Sequence, residues 1–206
     1  MKNKFNFLGL ILITFLVSCS TSEEEQIKEE LTTLGSTQIG LIDDQRILDA
    51  ESEPGNWLAH GRTYEERRFS PLTGINKENV SELGLVWSKD MGTNRALEAT
   101  PIVVDGIMFF TSTWSRVYAV DALTGETIWK FDPKVPGEWA RKACCDIVNR
   151  GVAVYNGKVY SASLDGRLFA INAETGDLVW EVDTIIDRTR SYTITGAPRV
   201  AKGKVY

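Results

Sequence analysis

The sequence predicts an all-β protein, the first two to three blades of a β-propeller, and three observations carry that prediction. The first is a hairpin that recurs. Val103-Val104-Asp105-Gly106-Ile107-Met108-Phe109-Phe110 is echoed by Val154-Tyr155-Asn156-Gly157-Lys158-Val159-Tyr160 and by Val200-Ala201-Lys202-Gly203-Lys204-Val205-Tyr206. In each copy two runs rich in β-branched or aromatic residues flank a turn pair ending in Gly. The second is a longer segment behind the first two hairpins: Tyr118-Ala119-Val120-Asp121-Ala122-Leu123-Thr124-Gly125-Glu126-Thr127-Ile128-Trp129 matches Phe169-Ala170-Ile171-Asn172-Ala173-Glu174-Thr175-Gly176-Asp177-Leu178-Val179-Trp180. Both set a Thr-Gly turn between alternating strands and close on Trp. The third is the period, four strands in roughly 40 to 50 residues, which is that of propeller blades burying their faces against neighbours. Trp87, in Leu85-Val86-Trp87-Ser88-Lys89-Asp90, is expected to close an earlier blade. Trp87, Trp129 and Trp180 are then expected to pack between blades.

Composition agrees with a folded, non-nucleic-acid-binding protein. Of 206 residues, 43% are hydrophobic and 25% charged, and a net charge of -5 gives no electrostatic reason to expect nucleic acid as a partner. At the N-terminus Lys2 and Lys4 precede an apolar run, Phe5 to Val17, too short to span a bilayer comfortably but suited to a signal peptide over residues 1–18. Leu16-Val17-Ser18-Cys19 resembles a bacterial lipobox, which would make Cys19 the acylated first residue of the mature protein. Ser20 after it resembles the outer-membrane sorting pattern. The expectation is a periplasmic protein, lipid-anchored to the outer membrane; the alternative is an ordinary secretory signal with a chance Cys. Either way export places the cysteines in an oxidising compartment.

Residues 19–50 are polar and acidic, with Glu23-Glu24-Glu25 and Glu29-Glu30, and read as a tether followed by a short helix from Leu41 to Leu48. Residues 51–206 are assigned to the propeller. Its opening, from Asn56 to Trp87, is punctuated by Pro and Gly as a loop-rich approach to a β-domain. The third copy of the repeat holds only its first hairpin at Tyr206, which would leave an unpaired edge, and two complete blades do not close a ring. The expectation is an N-terminal fragment of a longer protein.

The chemistry concentrates in Arg141-Lys142-Ala143-Cys144-Cys145-Asp146-Ile147-Val148-Asn149-Arg150. Consecutive Cα atoms lie only ~3.8 Å apart, so a Cys144–Cys145 bridge would be an eight-membered ring that closes no loop and stabilises little. If formed, it offers a rigid apolar plate for a flat ligand. The alternative is a pair of buried free cysteines.

The Ala-x-Asp/Asn-Ala-x-Thr-Gly-x-x-x-Trp repeat resembles the tryptophan-docking motif of the pyrroloquinoline quinone (PQQ) dehydrogenases, whose fold is an eight-bladed propeller. Arg68-Phe69-Ser70-Pro71-Leu72, with Ile75-Asn76 and Asn79-Val80, is similar to the opening segment of that family. Asp132-Pro133-Lys134-Val135-Pro136-Gly137-Glu138-Trp139, with Cys144-Cys145-Asp146 and Asn149-Arg150-Gly151-Val152-Ala153, resembles its alcohol dehydrogenase branch, particularly the quinohaemoproteins. The resemblance implies that Cys144 and Cys145 form a vicinal disulfide against one face of PQQ, and that Arg150 lies near the reactive carbonyl. It also implies that Glu98 and Thr195 touch the cofactor edge; without it they read as a capped strand end and a β-turn hydroxyl.

By the same resemblance the whole protein oxidises a small alcohol by hydride transfer to PQQ held with Ca2+, or with a lanthanide, and passes electrons to a cytochrome c. The family's metal ligands and its catalytic aspartate match no residue here, and Asp146 is not promoted to either role. Cys-x-x-Cys-His does not occur, so a haem c is expected only from a downstream domain. His60 reads as structural. Two alternatives share features: a non-catalytic propeller lipoprotein of outer-membrane protein assembly, and a PQQ-dependent sugar dehydrogenase. The first offers no reason for Cys144-Cys145 with Arg150 and Glu98, and the paired cysteines disfavour the second.

Overall fold

The three hairpin turns dictate the start of each blade. Asp105 and Gly106, Asn156 and Gly157, and Lys202 and Gly203 all have positive φ, between 47° and 78°. That geometry matches the right-handed twist of two antiparallel strands, so each pair reverses the chain without splaying them. In the computed structural model, which describes residues 39–206, the first turn joins β1 (Ile102–Val104) to β2 (Ile107–Thr111). β3 (Val117–Asp121) and β4 (Thr127–Phe131) complete an antiparallel meander in the order β1-β2-β3-β4. The second turn joins β5 (Ala153–Tyr155) to β6 (Lys158–Ala162), and β7 (Arg167–Asn172) and β8 (Leu178–Asp183) repeat the meander. A third hairpin, β9 (Val200–Ala201) and β10 (Lys204–Val205), pairs Val200 with Val205. The all-β prediction and both blades are thus observed.

The Thr-Gly segment builds the contact between blades. Asp121 Oδ1 accepts from the backbone N–H of Leu123 at 2.9 Å and of Thr124 at 2.7 Å, and Asn172 Oδ1 does the same for Glu174 and Thr175. The turn closes on Gly125 and Gly176, with φ of 74° and 79°. Two constraints meet at Gly176. Its φ suits a residue without Cβ, and a Cβ there would lie 2.7 Å from Trp129 Cδ2 of the preceding blade. The indole is therefore seated on the glycine, and Trp129 Nε1 donates to Ala173 O at 2.9 Å. Trp87 repeats the arrangement one blade earlier, over Gly125 and with its Nε1 donating to Ala122 O at 3.2 Å.

Two expected elements differ in extent. The helix expected over Leu41 to Leu48 runs only over Asp44–Leu48 (α1), because Asp43 caps it, its side chain accepting from Arg46 N at 2.8 Å. Leu85 to Asp90 forms no strand, although Trp87 docks as a closing strand would. Leu85 and Val86 are 84% and 82% exposed, and no strand among the described residues lies along them to complete a ladder. Trp180 is likewise 38% exposed, its ring 5.9 Å from that of Tyr160. Residues 39–50 do more than tether: Ile42, Ile47 and Ala50 are buried in one cluster with Val104, Phe109, Val154 and Ile171. The signal peptide, Cys19 and the tether up to residue 38 lie outside the described residues. No helix among the described residues is long and apolar enough to cross a membrane.

Candidate functional site

The segment between the two blades is raised on an apolar pedestal. After β4 the chain makes a short 3-10 turn at Gly137–Arg141 that buries Trp139, which clusters with Ile147 and Leu164, flanked by Trp114, Ala140 and Ala143. Trp114 and Ser115 hold consecutive left-handed conformations, φ 62° and 55°, of a kind that persists only where surrounding bonds enforce it. Here Trp114 N donates to Ile147 O at 3.0 Å, and Leu164 N donates to Ser115 Oγ at 3.2 Å. With Ile147 and Val148 drawn inward, the preceding residues stand out to solvent. Cys144 and Cys145 form a vicinal disulfide, and both are exposed. The alternative of two buried free thiols is thereby set aside. Asp146, also left-handed, pairs with Arg95.

Arg150 sits where that loop rejoins the blades. Its backbone N–H donates to Thr195 O at 2.9 Å, and its carbonyl accepts from Thr100 N at 3.1 Å. These bonds draw together the stretches preceding β1, β5 and β9. The side chains follow: Arg150 Nη1 donates to Thr195 Oγ1 at 2.6 Å, and Nη2 pairs with Glu98 Oε2 at 3.0 Å. Three residues singled out from sequence, 52 and 45 positions apart from Glu98 to Arg150 and from Arg150 to Thr195, are therefore one contiguous cluster. The Arg150 and Glu98 side chains are 41% and 36% exposed, so the pair faces outward and is worth little to stability. The disulfide lies five residues upstream of Arg150 on the same loop.

The structure adds one residue that motif reasoning missed. Asn149 is 2% exposed, and both ends of its carboxamide are hydrogen-bonded. Oδ1 accepts from Thr111 Oγ1 at 2.9 Å and from Gly151 N at 3.0 Å, while Nδ2 donates to Ala162 O at 2.7 Å. The signal that could have found it is the repeat register. Glu98, Asn149 and Thr195 each stand seven positions before the turn residue of their hairpin: Asp105, Asn156 and Lys202.

Chemically, the cluster combines a fixed guanidinium, a hydroxyl and a carboxylate, and the loop that carries its arginine also bears an exposed apolar disulfide. That set suits a flat, anionic ligand with polar edges. Among the described residues no three His, Cys, Asp or Glu side chains come together as a metal site. Residues 57–184 match the family model described as PQQ: glucose/ethanol/alcohol dehydrogenase, β-propeller domain. The chain belongs to that family. Quinohemoprotein alcohol dehydrogenase ADH-IIG of Pseudomonas putida is 58% identical over 164 residues, covering 80% of this chain and 23% of that protein. The 1-butanol dehydrogenase (cytochrome c) of Thauera butanivorans is 57% identical over 151 residues, covering 73% of this chain and 22% of that protein. The solved structure of ADHIIG from Pseudomonas putida HK5 superposes with a TM-score of 0.81 at 56% identity, covering 82% of this chain and 25% of that one. The chain spans no more than a quarter of the length of these PQQ dehydrogenase relatives. The match resolves the choice with the assembly lipoproteins in favour of the PQQ dehydrogenases.

Proposed function

We propose that the protein containing this chain is a PQQ-dependent alcohol dehydrogenase, and that this chain supplies one face and part of the rim of its cofactor site. The observation that carries the proposal is the Glu98–Arg150–Thr195 cluster, whose arginine follows the exposed vicinal disulfide by five residues on one loop. The residues present fit the group. Cys144 and Cys145 would hold the flat face of the tricycle, and the Thr195 hydroxyl, Arg150 and Glu98 its polar edge.

PQQ, when bound, supplies the two-electron acceptor that takes hydride from the alcohol. Arg150, held by Glu98 and Thr195, would supply a cationic donor to an oxygen at the edge of the bound group. Because both contacts already hold it, little reorganisation is needed for it to do so. Glu98 engages Arg150 through Oε2, and Oε1 is suited to accept from a ring-edge donor. A base for the alcohol proton, an aspartate, and the residues binding Ca2+ or a lanthanide belong to the remainder of the protein, as does any haem c. Two relatives named as quinohemoproteins or as a cytochrome c-linked butanol dehydrogenase support a small alcohol as substrate and a cytochrome c as acceptor.

The test is reconstitution of the full-length protein with PQQ and Ca2+, followed by dye-linked oxidation of primary alcohols. Cofactor absorbance and turnover, both lost on Cys144→Ala, are expected. A protein that binds no PQQ, oxidises no alcohol and ignores the substitution would be a scaffold instead. We further propose a periplasmic location with a lipid anchor at Cys19. Intact mass should show an acylated Cys19 as first residue, and Cys19→Ala should release the protein from the membrane fraction; an unmodified mature N-terminus elsewhere would refute the anchor.

A further inference from the structure

We propose that Asn149 is a positioning residue for Arg150 and for the loop bearing Cys144 and Cys145, and that it sets how tightly the quinone site is held; this rests on the PQQ function proposed above. The repeat register carries the first step. Asn149 occupies the position that Glu98 holds before β1 and Thr195 holds before β9, and both of those side chains contact the Arg150 guanidinium. Before β5 the equivalent side chain is instead buried, and the next residue, Arg150, faces the site.

Its three partners explain what burial achieves. Thr111 is the last residue of β2 in the first blade, and Ala162 is the last residue of β6 in the second. Gly151 N–H belongs to the peptide immediately after Arg150. One carboxamide thus ties the equivalent strand ends of two blades to the backbone on either side of Arg150. Its orientation is dictated, because Gly151 N–H can only donate and Ala162 C=O can only accept.

The neutral amide is also the right chemistry. A carboxylate of the same shape would keep the bonds from Thr111 and Gly151. It would place an oxygen against Ala162 O, and a second negative charge on the residue adjoining Arg150, in competition with Glu98. The amide instead fixes the loop without drawing the guanidinium away. Upstream, the Trp114 N–H to Ile147 O bond holds the far side of the same turn, so the backbone from Ile147 to Gly151 is pinned at both ends.

The experiment uses full-length protein carrying Asn149→Asp, Thr111→Val or, as a core control remote from the cluster, Ile171→Val. PQQ affinity, the absorption spectrum of the bound cofactor and the thermal midpoint of the cofactor-free protein are measured for each. By analogy with residues that orient metal ligands, Asn149→Asp should weaken PQQ binding about tenfold to a hundredfold and perturb the spectrum. Thr111→Val should do so to a lesser degree, and Ile171→Val should lower the midpoint with affinity and spectrum unchanged. A lower midpoint for Asn149→Asp with wild-type affinity and spectrum would make Asn149 merely structural and overturn the proposal. Should Asn149→Asp fail to fold, Thr111→Val decides alone, and wild-type affinity and spectrum there overturn it. Failure of the wild-type protein to bind PQQ would be a different result, refuting the quinone site itself.

Discussion

Arg150 donates from Nη1 to the Thr195 hydroxyl at 2.6 Å, and from its backbone N–H to the Thr195 carbonyl at 2.9 Å. Two blades are thereby joined by side chain and main chain of the same two residues. The main-chain bond fixes where the arginine begins, and the side-chain bond fixes where its charge ends. Thr195→Val keeps the first and removes the second. PQQ binding by the full-length protein should weaken by several-fold with the thermal midpoint nearly unchanged, since a half-exposed hydrogen bond adds little net stability. Arg150→Lys keeps the charge but cannot bond Glu98 and Thr195 with one planar fork, and turnover should fall by about 100-fold or more. Cofactor titration and thermal melts check the first, and steady-state kinetics after PQQ reconstitution checks the second.

The vicinal disulfide should matter to binding and not to stability. A ring between adjacent residues removes almost no unfolded-chain entropy, so Cys144→Ser with Cys145→Ser should change unfolding free energy by under about 1 kcal/mol. PQQ affinity should fall markedly. Calorimetry and cofactor titration separate the two effects, and a large stability loss with unchanged affinity would contradict the assigned role. Alkylation followed by intact-mass measurement should find both thiols blocked until reductant is added.

Gly176→Ala tests the contact between blades. The new methyl would have to adopt a φ of 79° and would meet the Trp129 indole at 2.7 Å. The two penalties together should cost at least about 2 kcal/mol of stability. Denaturant unfolding should show it, together with a red-shifted tryptophan emission as Trp129 is displaced towards water. Gly125→Ala should disturb Trp87 in the same way.

Stability should also decline as the pH falls below about 6.5, the ordinary histidine value. Burial, then the positive charges of Arg199 and Arg68, hold the His60 imidazole below that value, Glu66 opposing them. The folded protein therefore binds fewer protons at His60 than the unfolded chain does, and stability is complete above the unfolded value and lost as the pH drops toward the folded one. His60→Asn should flatten that decline in a series of thermal midpoints against pH. The step due to Glu66, whose carboxyl is held low by the Arg199 hydrogen bond, should remain and lie below about 4.5.

Much of the architecture was legible because repeats advertise themselves. Asp105-Gly106 and Asn156-Gly157 announce tight reversals, and the Thr-Gly-x-x-x-Trp spacing announces an indole that must find a glycine, because both signals are local and occur twice or more. The helix starts three residues later than the apolar pattern suggests, because the Asp43 side chain takes the Arg46 N–H and caps the helix there, while Leu41 and Ile42 stay outside it. The burial of Ile42 and Ile47 was hidden by an acidic, tether-like composition, because burial is decided by distant partners such as Val154 and Ile171. The ladder expected at Leu85 to Asp90 depends on a partner strand, which a strand's own residues cannot specify.

By itself the sequence determined the chemistry and the repeat: two adjacent cysteines, an arginine five residues on, and hairpins whose turns require positive φ. Those are properties of neighbouring residues, and covalent geometry and backbone sterics decide them. Only the tertiary structure decided that Glu98, Arg150 and Thr195 touch, that the cysteines face outward as a disulfide, and that Asn149 turns inward to hold the loop. Contacts between residues some fifty positions apart exist only once neighbouring blades have packed, so nothing in the local pattern could have stated them.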